Sequence, residues 1–220
     1  MPSIAEVFPV LGLRISAGAL ELRGIDDETL AALVDLAGRG VHAPEQMPFA
    51  VPWTDAPPDA LPLRFAQYHW GLRSGFAPER WTIELAVRWE GELVGIQAFM
   101  TRDYLVTRSG ETGSWLGQAH QGRGIGTRMR QAMCAFLFDH LDAREVTSGA
   151  FEDNPASLAV SRKVGYRPNG TRRMERRPGE LAILQALVLR PEDLSPPSRP
   201  PRTRRTTGIP SYQPRARRDP

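Results

Sequence analysis

Residues 121–126, QGRGIG, are the part of the chain whose residue types and spacing best suit chemistry. They place three glycines in six residues, directly ahead of apolar residues at helical spacing. Glycine adopts positive φ readily and lets a ligand come close to the main chain. The first N–H groups of a helix have no intrahelical acceptor, and the helix dipole adds positive charge to them. The stretch therefore predicts a cradle for an anion, although a tight turn into a helix would use the same residues.

The spacing Q-x-x-G-x-G formed by Gln121, Gly124 and Gly126 differs from two common nucleotide-binding patterns. A dinucleotide fingerprint needs G-x-G-x-x-G, and a P-loop ends in G-K-[ST]. Here Thr127 follows Gly126 directly, and no lysine is near. The stretch therefore indicates a pyrophosphate cradle of another type.

A second group of polar residues follows about thirty positions later, in the stretch DNPASLAVSRKVGY. Asn154 and Ser157 stand at the start of a predicted helix, and Gly165 and Tyr166 stand at its end. Asn154 would serve as an N-cap and Gly165 as a C′ residue without any ligand. Ser157 could likewise be a simple first-turn polar residue, so this stretch alone does not decide between structure and binding.

Taken together, the two stretches resemble the GNAT superfamily of N-acetyltransferases, and within it the RimJ/RimL-like branch. SWLGQAHQGRGIGTRM is similar to the acetyl-CoA-binding motif A, and DNPASLAVSRKVGY is similar to motif B, N-x-x-S followed by G-[FY]. The resemblance is clearest over residues 81–166 and weaker over residues 13–189. It implies acetyl-CoA as co-substrate and direct acetyl transfer to an amine, which is either a protein N-terminus or a small molecule. No metal is expected from the sequence.

The resemblance also assigns residues to acetyl-CoA. Gln121 begins the motif A loop, and the main chain of Leu116 would bind the acetyl or pantetheine amides. Asn154 would contact pantetheine through its amide, and Ser157 or Tyr166 would lie near the thioester sulfur. The residues whose main-chain N–H groups would hold the pyrophosphate are Gly122, Arg123, Gly124, Ile125, Gly126 and Thr127. Arg123 and Arg128 add positive charge, and Arg128 replaces a glutamate found in many relatives.

Catalytic residues are less sharply defined by the resemblance. Ser157 and Tyr166 are the candidates for protonating or stabilising the departing thiolate, although the position of Tyr166 is phenylalanine in many relatives and suits packing equally. Glu111, on the strand that enters motif A, is the preferred base. The alternative bases are Glu152, Asp153 and Glu175, and each of these carboxylates could instead be a solvent-facing structural residue.

Other side chains complete the predicted site or are excluded from it. The residues that could line the acceptor pocket are Trp53, Tyr68, His69, Trp70 and Arg172, although QYHW on a helix also suits core and rim. Cys134 lies mid-helix between core positions and is predicted to be a buried apolar residue, not a nucleophile. The four histidines show no paired spacing of metal ligands, and no G-x-S-x-G nucleophile elbow is present.

The elements that must position these residues alternate between strands and helices. Strands or hairpins are predicted over residues 13–24, 81–89, 93–100, 104–108, 112–116, 144–151, 171–176 and 181–189, and helices over residues 26–37, 63–74, 124–141 and 154–165. Antiparallel strands come first, and a β-α-β-α-β stretch follows. The order predicts a mixed α/β fold. The resemblance implies that this fold is GNAT-like, with a mixed, mostly antiparallel sheet of about six to seven strands flanked by about four helices.

Composition sets the domain organisation. The 220 residues are 41% hydrophobic and 24% charged, which suits one soluble domain with extensions. The acetyltransferase domain is predicted to span residues 1–194. Residues 195–220 are rich in proline and arginine and are predicted to be a disordered tail. Their charge is about +6, whereas the net charge of the whole chain is +3, so the rest of the chain is about −3. The basic pI therefore comes from the tail, and nucleic-acid binding is not expected except through it.

The sequence leaves two other functions open: a catalytically silent acyl-CoA-binding regulatory module, and an RNA- or ribosome-associated protein tethered by its Arg-rich tail. A homodimer is compatible with the resemblance. No run of about 18 apolar residues predicts a membrane span, and the N-terminus lacks the pattern of a signal peptide. A single cysteine excludes an intrachain disulfide, so a cytoplasmic location is expected.

Overall fold

A computed structural model describes residues 1–195 and 202–204 of the chain, and in these residues a single mixed β-sheet organises the fold. The strands are β1 Arg14–Ala17, β2 Leu20–Gly24, β3 Arg80–Trp89, β4 Glu92–Arg102, β5 Ser109–Leu116, β6 Glu145–Phe151, β7 Arg167–Arg177, β8 Glu180–Leu189 and β9 Arg202–Arg204. Their order across the sheet is β7-β8-β6-β5-β4-β3-β2-β1-β9. Only the β5–β6 pair is parallel, and the other pairs of described strands are antiparallel.

Helices cover both faces of this sheet. They are α1 Ile4–Val7, α2 Asp27–Gly38, α3 Leu61–Ser74, α4 Tyr104–Thr107, α5 Ile125–Leu141 and α6 Pro155–Val164. The apolar positions of α5 pack with the strands in the largest core cluster, which includes Ile125, Met129 and Phe136. A second cluster joins α2 and α3 to the opposite face of β3 and β4. The sheet thus separates an α5 face from an α2/α3 face.

The predicted elements are largely confirmed. The mixed, mostly antiparallel α/β sheet is present, with more strands and helices among the described residues than the sequence predicts. Asp26 is the N-cap of α2, because its carboxylate accepts a hydrogen bond from Thr29 N at 2.8 Å. Strand β7 begins at Arg167, four residues earlier than predicted.

The strand predicted over residues 104–108 is wrong. Residues 104–107 instead form the single helical turn α4, which is flanked by Asp103 and Arg108, both with positive φ. The turn places the Tyr104 ring 5.0 Å from that of Trp81 and 5.9 Å from that of Phe99. Burial of this ring against the core outweighs the β propensity of the local sequence.

Most of the predicted tail lies outside the described residues, so its disorder stays a prediction. Within it, Arg202–Arg204 runs antiparallel to β1. Ser195 is joined to the domain, because its N–H donates to Val164 O at 2.9 Å and its carbonyl accepts from Gln131 Nε2 at 3.1 Å. No helix in the described part of the chain is long and apolar enough to cross a membrane.

Candidate functional site

Strands β5 and β6 run side by side for only three residue pairs and then separate. Residues 109–111 of β5 lie opposite residues 145–147 of β6. Beyond them, residues 112–116 pair only with β4, while β6 continues along β8. The two strands therefore leave a cleft in the middle of the sheet, and one wall of this cleft is the edge of β5.

The main chain of Ser114 and Leu116 faces this cleft. Gly117 N–H donates to Val94 O at 2.9 Å, and the register between β4 and β5 is unbroken. Because bonded residues alternate along an antiparallel ladder, Ser114 and Leu116 turn their N–H and C=O groups away from β4. This edge can hydrogen-bond an extended ligand as a neighbouring strand would.

Gln121 ties the loop that follows β5 to the end of that strand. Its side-chain Nε2 donates to Leu116 O at 2.9 Å and to Val41 O at 2.6 Å. Both protons of the amide nitrogen are therefore used inside the protein. The side chain of Gln121 positions the loop, and the N–H of Leu116, not its carbonyl, is left for a ligand.

The N-terminus of α5 presents a group of unpartnered donors. Gly124, with φ 76°, precedes the helix, and no side chain caps it. The first helical bond runs from Arg128 N to Gly124 O at 3.3 Å. The N–H groups of Ile125, Gly126 and Thr127 consequently find no acceptor among the described residues. Such a helix start binds anions through these N–H groups and the helix dipole.

The space in front of these donors is open. Gly122 and Gly124 have φ values of 73° and 76°, and a Cβ atom on either would meet no atom within 4 Å. A Cβ on Gly126 would lie 3.5 Å from Val160 Cγ2, an ordinary contact. Backbone conformation thus requires the first two glycines, whereas packing does not require the third. The bare surface around Gly126 fits close approach by a ligand.

The two arginines of this region differ in their surroundings. Arg123 is exposed and forms no ion pair with a described residue, so its guanidinium can turn toward the cradle. Arg128 is also exposed, but its guanidinium lies 5.0 Å from the ring centroid of Trp89, at the end of β3. A cation–π contact of this kind is worth about 0.5–1 kcal/mol at exposed sites, and it holds the charge of Arg128 against the sheet.

Asn154 and Ser157 lie at the start of α6, just after β6, the strand that separates from β5 at the cleft. Asn154 Oδ1 accepts a hydrogen bond from Ser157 N at 3.0 Å, so Asn154 is the N-cap of this helix. Its amide nitrogen bonds no other described residue and can still reach pantetheine. The Ser157 side chain is half-buried, and its hydroxyl also has no partner in the described part of the chain.

Tyr166 lies in the core beneath the cleft. Its hydroxyl is 2.7 Å from Thr112 Oγ1 and 3.4 Å from Cys134 Sγ. Because Thr112 Oγ1 donates its one proton to Thr147 O at 3.2 Å, the Tyr166 hydroxyl is the donor to Thr112. Burial raises the pKa of Tyr166 well above 10. These contacts suit a residue that joins α6 to β5 and α5, which is the packing role left open by the sequence.

Cys134 is fully buried, as predicted. Burial is the main cause that raises the pKa of its thiol to about 11. A thiol that stays protonated and has no access to solvent is a poor nucleophile.

Glu111 occupies the point where the cleft begins. It is exposed, and it lies opposite Thr147 in the last parallel pair of β5 and β6. Thr112 contacts Tyr166 on the α5 face, so the alternation of side chains along a strand turns Glu111 toward the α2/α3 face. A carboxylate at this position can take a proton from an amine that enters from the α2/α3 side.

The alternative carboxylates have other surroundings. Asp153 pairs with Arg176 at 2.7 Å, and Glu175 Oε1 accepts from Gly179 N at 2.7 Å across the β7–β8 turn. Glu152 is exposed after the end of β6. Since Asp153 and Glu175 already have structural partners, Glu111 remains the better candidate for a base.

A buried polar group that was not predicted from the sequence connects three elements. Arg130 on α5 donates from Nη2 to Ser114 Oγ and from Nη1 to Ser161 Oγ, both at 2.9 Å. Arg130 is only 5% exposed. The signal available in the sequence is an arginine inside the apolar stripe of α5, next to Met129.

An aromatic cluster lies on the α2/α3 face of the sheet, the face toward which Glu111 also points. The Trp53 ring lies 5.7 Å from that of Trp115, 5.6 Å from that of Phe65 and 5.3 Å from that of Phe49. Trp115 is on β5 and shares a face with Glu111, because the two residues are four positions apart. Trp53 packs with this cluster on the face that Glu111 shares, and its role in lining an acceptor pocket stays a prediction.

The predicted acceptor residues on α3 make contacts of their own. The Tyr68 hydroxyl donates to Glu84 Oε1 at 3.1 Å, and His69 Nδ1 lies 2.8 Å from Glu84 Oε2. Trp70 Nε1 donates to Asp27 Oδ1 at 3.3 Å. Tyr68 and His69 therefore meet β3 through Glu84, and Trp70 meets α2 instead of the cleft.

The β7–β8 hairpin contacts the loop that carries Trp53 through an ion pair and a hydrogen bond. Arg177 pairs with Asp55 at 2.7 Å, and Arg176 Nη1 donates to Met47 O at 3.4 Å. The alternation of side chains from β5 across β6 and β8 to β7 puts Arg172, which is exposed, on the same face as Glu111. The hairpin and the loop thus border the α2/α3 face from two sides. Within residues 1–195 and 202–204, no group of three or more His, Cys, Asp or Glu side chains is arranged to hold a metal ion.

Comparison with protein-family models gives a match to "Acetyltransferase (GNAT) domain" over residues 19–167. Among curated proteins, YdaF of Bacillus subtilis strain 168, provisionally named a ribosomal N-acetyltransferase, is 29% identical over 91 residues. The aligned part is 41% of this chain and 49% of YdaF, so the chain spans about half the length of that relative.

Solved structures share the fold over most of the chain. RimL, a ribosomal L7/L12 alpha-N-protein acetyltransferase in complex with coenzyme A, matches with a TM-score of 0.64 and 20% identity, covering 79% of this chain and 95% of RimL. RimJ of Mycobacterium smegmatis, in complex with CoA-disulfide, matches with a TM-score of 0.67 and 21% identity, covering 83% of this chain and 87% of RimJ. At these identities, the likeness establishes the fold.

Proposed function

The chain belongs to the GNAT acetyltransferase family, and on that premise we propose that it transfers the acetyl group of acetyl-CoA directly to an amine. One observation carries the proposal: the unpaired edge of β5 leads directly to the uncapped N-terminus of α5. An extended amide chain that ends in a pyrophosphate is complementary to both features at once.

Acetyl-CoA is held by main-chain groups in this proposal. The N–H groups of Ile125, Gly126 and Thr127 bind the pyrophosphate, and Arg123 adds positive charge. The pantetheine arm pairs with Ser114 and Leu116 along the edge of β5, while the amide nitrogen of Asn154 donates from the opposite side. The open space in front of Gly122 and Gly124 supports this arrangement, because the pyrophosphate needs close access to the backbone.

The chemical step needs a base and a stabilised leaving group. Glu111 takes the proton of the attacking amine, whose nitrogen forms a bond to the thioester carbon. The C–S bond then breaks, its electron pair passes to sulfur, and the Ser157 hydroxyl donates a hydrogen bond to the thiolate. Tyr166 holds β5, α5 and α6 together through its contacts with Thr112 and Cys134. No covalent enzyme intermediate is required, which agrees with the inaccessible Cys134.

The acceptor enters from the α2/α3 face and is a protein N-terminus in the form of the proposal that we favour. Two observations support a chain end over a small molecule. Glu111 is exposed, and the similar structure RimL is described as acting on the alpha-amine of a ribosomal protein. The half-buried rings of Trp53 and Trp115 would contact the first side chains of such a peptide.

A turnover assay tests this function. Acetyl-CoA is incubated with the protein and with either N-terminal peptides or small amines, and the free thiol of CoA is measured. Thiol release that depends on peptides with a free α-amine, and not on the same peptides with a blocked N-terminus, is expected. Binding of acetyl-CoA without release on either class of amine would favour the silent regulatory module.

Two further expectations accompany the proposal. A homodimer stays a prediction, which light scattering on the purified protein would test. The cytoplasmic location is supported by the single cysteine, Cys134, which is buried and forms no disulfide. Subcellular fractionation of the source cells would contradict it if the protein were recovered outside the cytosolic fraction.

A further inference from the structure

Arg130 lies inside the domain, although arginine is almost never fully buried unless it is paired. It is 5% exposed, and its guanidinium connects α5 to Ser114 on β5 and to Ser161 on α6. Ser161 itself is completely buried. The guanidinium therefore sits between the three elements that surround the cleft on the α5 face.

The partners of Arg130 do not balance its charge. Both are neutral hydroxyl groups, and no carboxylate of a described residue forms an ion pair with it. Its Nε is buried without a hydrogen-bond partner in the described part of the chain. Burial of a charge costs free energy unless an opposite charge or a ligand compensates it. A negative group from outside the chain would provide that compensation.

The position of Ser114 indicates which group this is. Ser114 belongs to the part of β5 that has no partner in β6, between Leu116 and Glu111. In the proposed complex, acetyl-CoA runs along this edge from the α5 cradle toward Glu111. Its thioester therefore passes Ser114 and the guanidinium beneath it.

We propose that Arg130 is a positioning residue for the leaving group: it holds the Ser114 and Ser161 hydroxyls in place, and its charge stabilises the thiolate of CoA as the C–S bond breaks. The inference rests on the proposed function and assigns a further residue to the same site. Each serine Oγ accepts from the guanidinium, so each hydroxyl proton is left to donate to another group. No described residue accepts either proton.

The charge balance of the step is complete without a proton from Arg130. The amine nitrogen bonds to the carbonyl carbon, the C–S electron pair moves to sulfur, and Glu111 receives the proton of the amine. A guanidinium does not deprotonate in proteins, so it contributes a fixed positive charge next to the developing negative one. The thiolate takes a proton from solvent after its release.

Titration of the CoA thiol in its complex tests the inference. The ultraviolet absorbance of the thiolate is followed against pH for free CoA and for CoA bound to the full chain. A nearby positive charge favours the ionised form, so the thiol of bound CoA is expected to ionise at lower pH than that of free CoA. Arg130→Met should move this midpoint back toward that of free CoA, and Arg130→Lys should retain part of the difference.

Arg162→Met is the matched control. Arg162 is adjacent to Ser161 on α6 but exposed, so the variant removes the same charge from the surface. It should leave the titration of bound CoA unchanged. In turnover, Arg130→Met should lower kcat about tenfold or more, as expected when stabilisation of a developing charge is lost, with little change in the KM for acetyl-CoA.

The outcomes separate this inference from the proposed function. If wild-type protein binds CoA and the bound thiol titrates like free CoA, the role of Arg130 is wrong while the binding site stands. The proposed role of Arg130 would also be contradicted if Arg130→Met and Arg162→Met moved the titration midpoint of the bound CoA thiol by the same amount. Absence of CoA binding to the wild type would overturn the proposed function and this inference together. Should Arg130→Met fail to fold, a wild-type complex whose thiol titrates like free CoA still contradicts the inference. Arg130→Lys then supplies the variant: it should move the titration midpoint part of the way toward that of free CoA, while Arg162→Met leaves it unchanged.

Discussion

Gln121 Nε2 donates to Leu116 O at 2.9 Å, so the first residue of the glycine loop is fastened to the last residue of the strand before it. The same nitrogen reaches Val41 O at 2.6 Å, which adds the loop after α2 to the connection. The anion cradle and the edge of β5 are thereby held at a fixed distance from each other. A ligand that uses both must match that distance.

The first prediction concerns this connection. Gln121→Leu removes two hydrogen bonds and leaves the carbonyls of Leu116 and Val41 without their partner, which should lower the free energy of unfolding by about 1–3 kcal/mol. The affinity for acetyl-CoA should fall, because the cradle and the strand edge are no longer held together. Denaturant unfolding and calorimetry measure the two effects. Unchanged stability and affinity would mean that the connection does not position the site.

The second prediction concerns the base. Glu111→Gln keeps the size of the side chain and removes its ability to take a proton, so kcat should fall about 10²-fold or more, while acetyl-CoA binding is retained. Glu175→Gln is the comparison, because Glu175 accepts from Gly179 N in the hairpin turn. Steady-state kinetics with a peptide acceptor measures kcat for the two variants and for the wild type. A large loss for Glu175→Gln and none for Glu111→Gln would reverse the assignment.

The third prediction is the dependence of stability on alkaline pH. Burial raises the folded-state pKa of Tyr166 well above its ordinary value of 10.0, and that of Cys134 from 9.0 to about 11. Below the unfolded-state pKa values, both groups are protonated in the folded and in the unfolded chain, so the free energy of unfolding has its full value. Above pH 9 to 10, the unfolded chain loses protons that the folded chain keeps, so stability falls with rising pH, by up to about 1.4 kcal/mol per pH unit for each group.

Tyr166→Phe tests the contribution of the phenol. The variant removes one of the groups that must stay protonated, so its melting temperature should fall less steeply with pH than that of the wild type above pH 10. At neutral pH it should be less stable, because the bond to Thr112 Oγ1 is lost. Turnover should stay within about threefold of wild type if the phenol is not the acid. A kcat loss of more than tenfold would return Tyr166 to a catalytic role.

The fourth prediction concerns the domain boundary. Deletion of residues 205–220 removes most of the basic tail and keeps Ser195, which bonds Val164 and Gln131. Acetyl-CoA affinity and turnover on short peptides should be unchanged. If instead turnover on an intact protein substrate falls and that loss grows weaker at high salt, the tail is an electrostatic tether for the acceptor.

Local patterns were sufficient to predict the backbone features of the candidate site that lie within one loop or one helix turn. The glycines of residues 122–126 and the N-cap Asn154 depend on spacing along the chain, and the structure places both where the sequence indicated. The strand pattern of residues 112–116 likewise predicted β5. The separation of β5 from β6 follows from pairing across the sheet, which no local pattern contains.

Long-range contacts explain what the sequence did not reveal. Gln121 meets Val41, eighty residues earlier, and Arg130 meets Ser161 on another helix. An arginine within an apolar stripe indicates that a polar partner exists but not which residue it is. Residues 104–108 have β propensity, and burial of the Tyr104 ring in the core converts them to a helical turn.

Calorimetric titration of acetyl-CoA into wild-type protein, Gly124→Glu and Gly179→Glu tests the central claim most directly. Gly124 and Gly179 have φ values of 76° and 75°, and both face open space, so the two substitutions introduce similar backbone strain. Only the first places bulk and negative charge in the cradle. We expect binding at about one site per chain for the wild type and for Gly179→Glu, and loss of binding for Gly124→Glu. Equal affinity of all three folded proteins, or no binding by the wild type, would contradict the account.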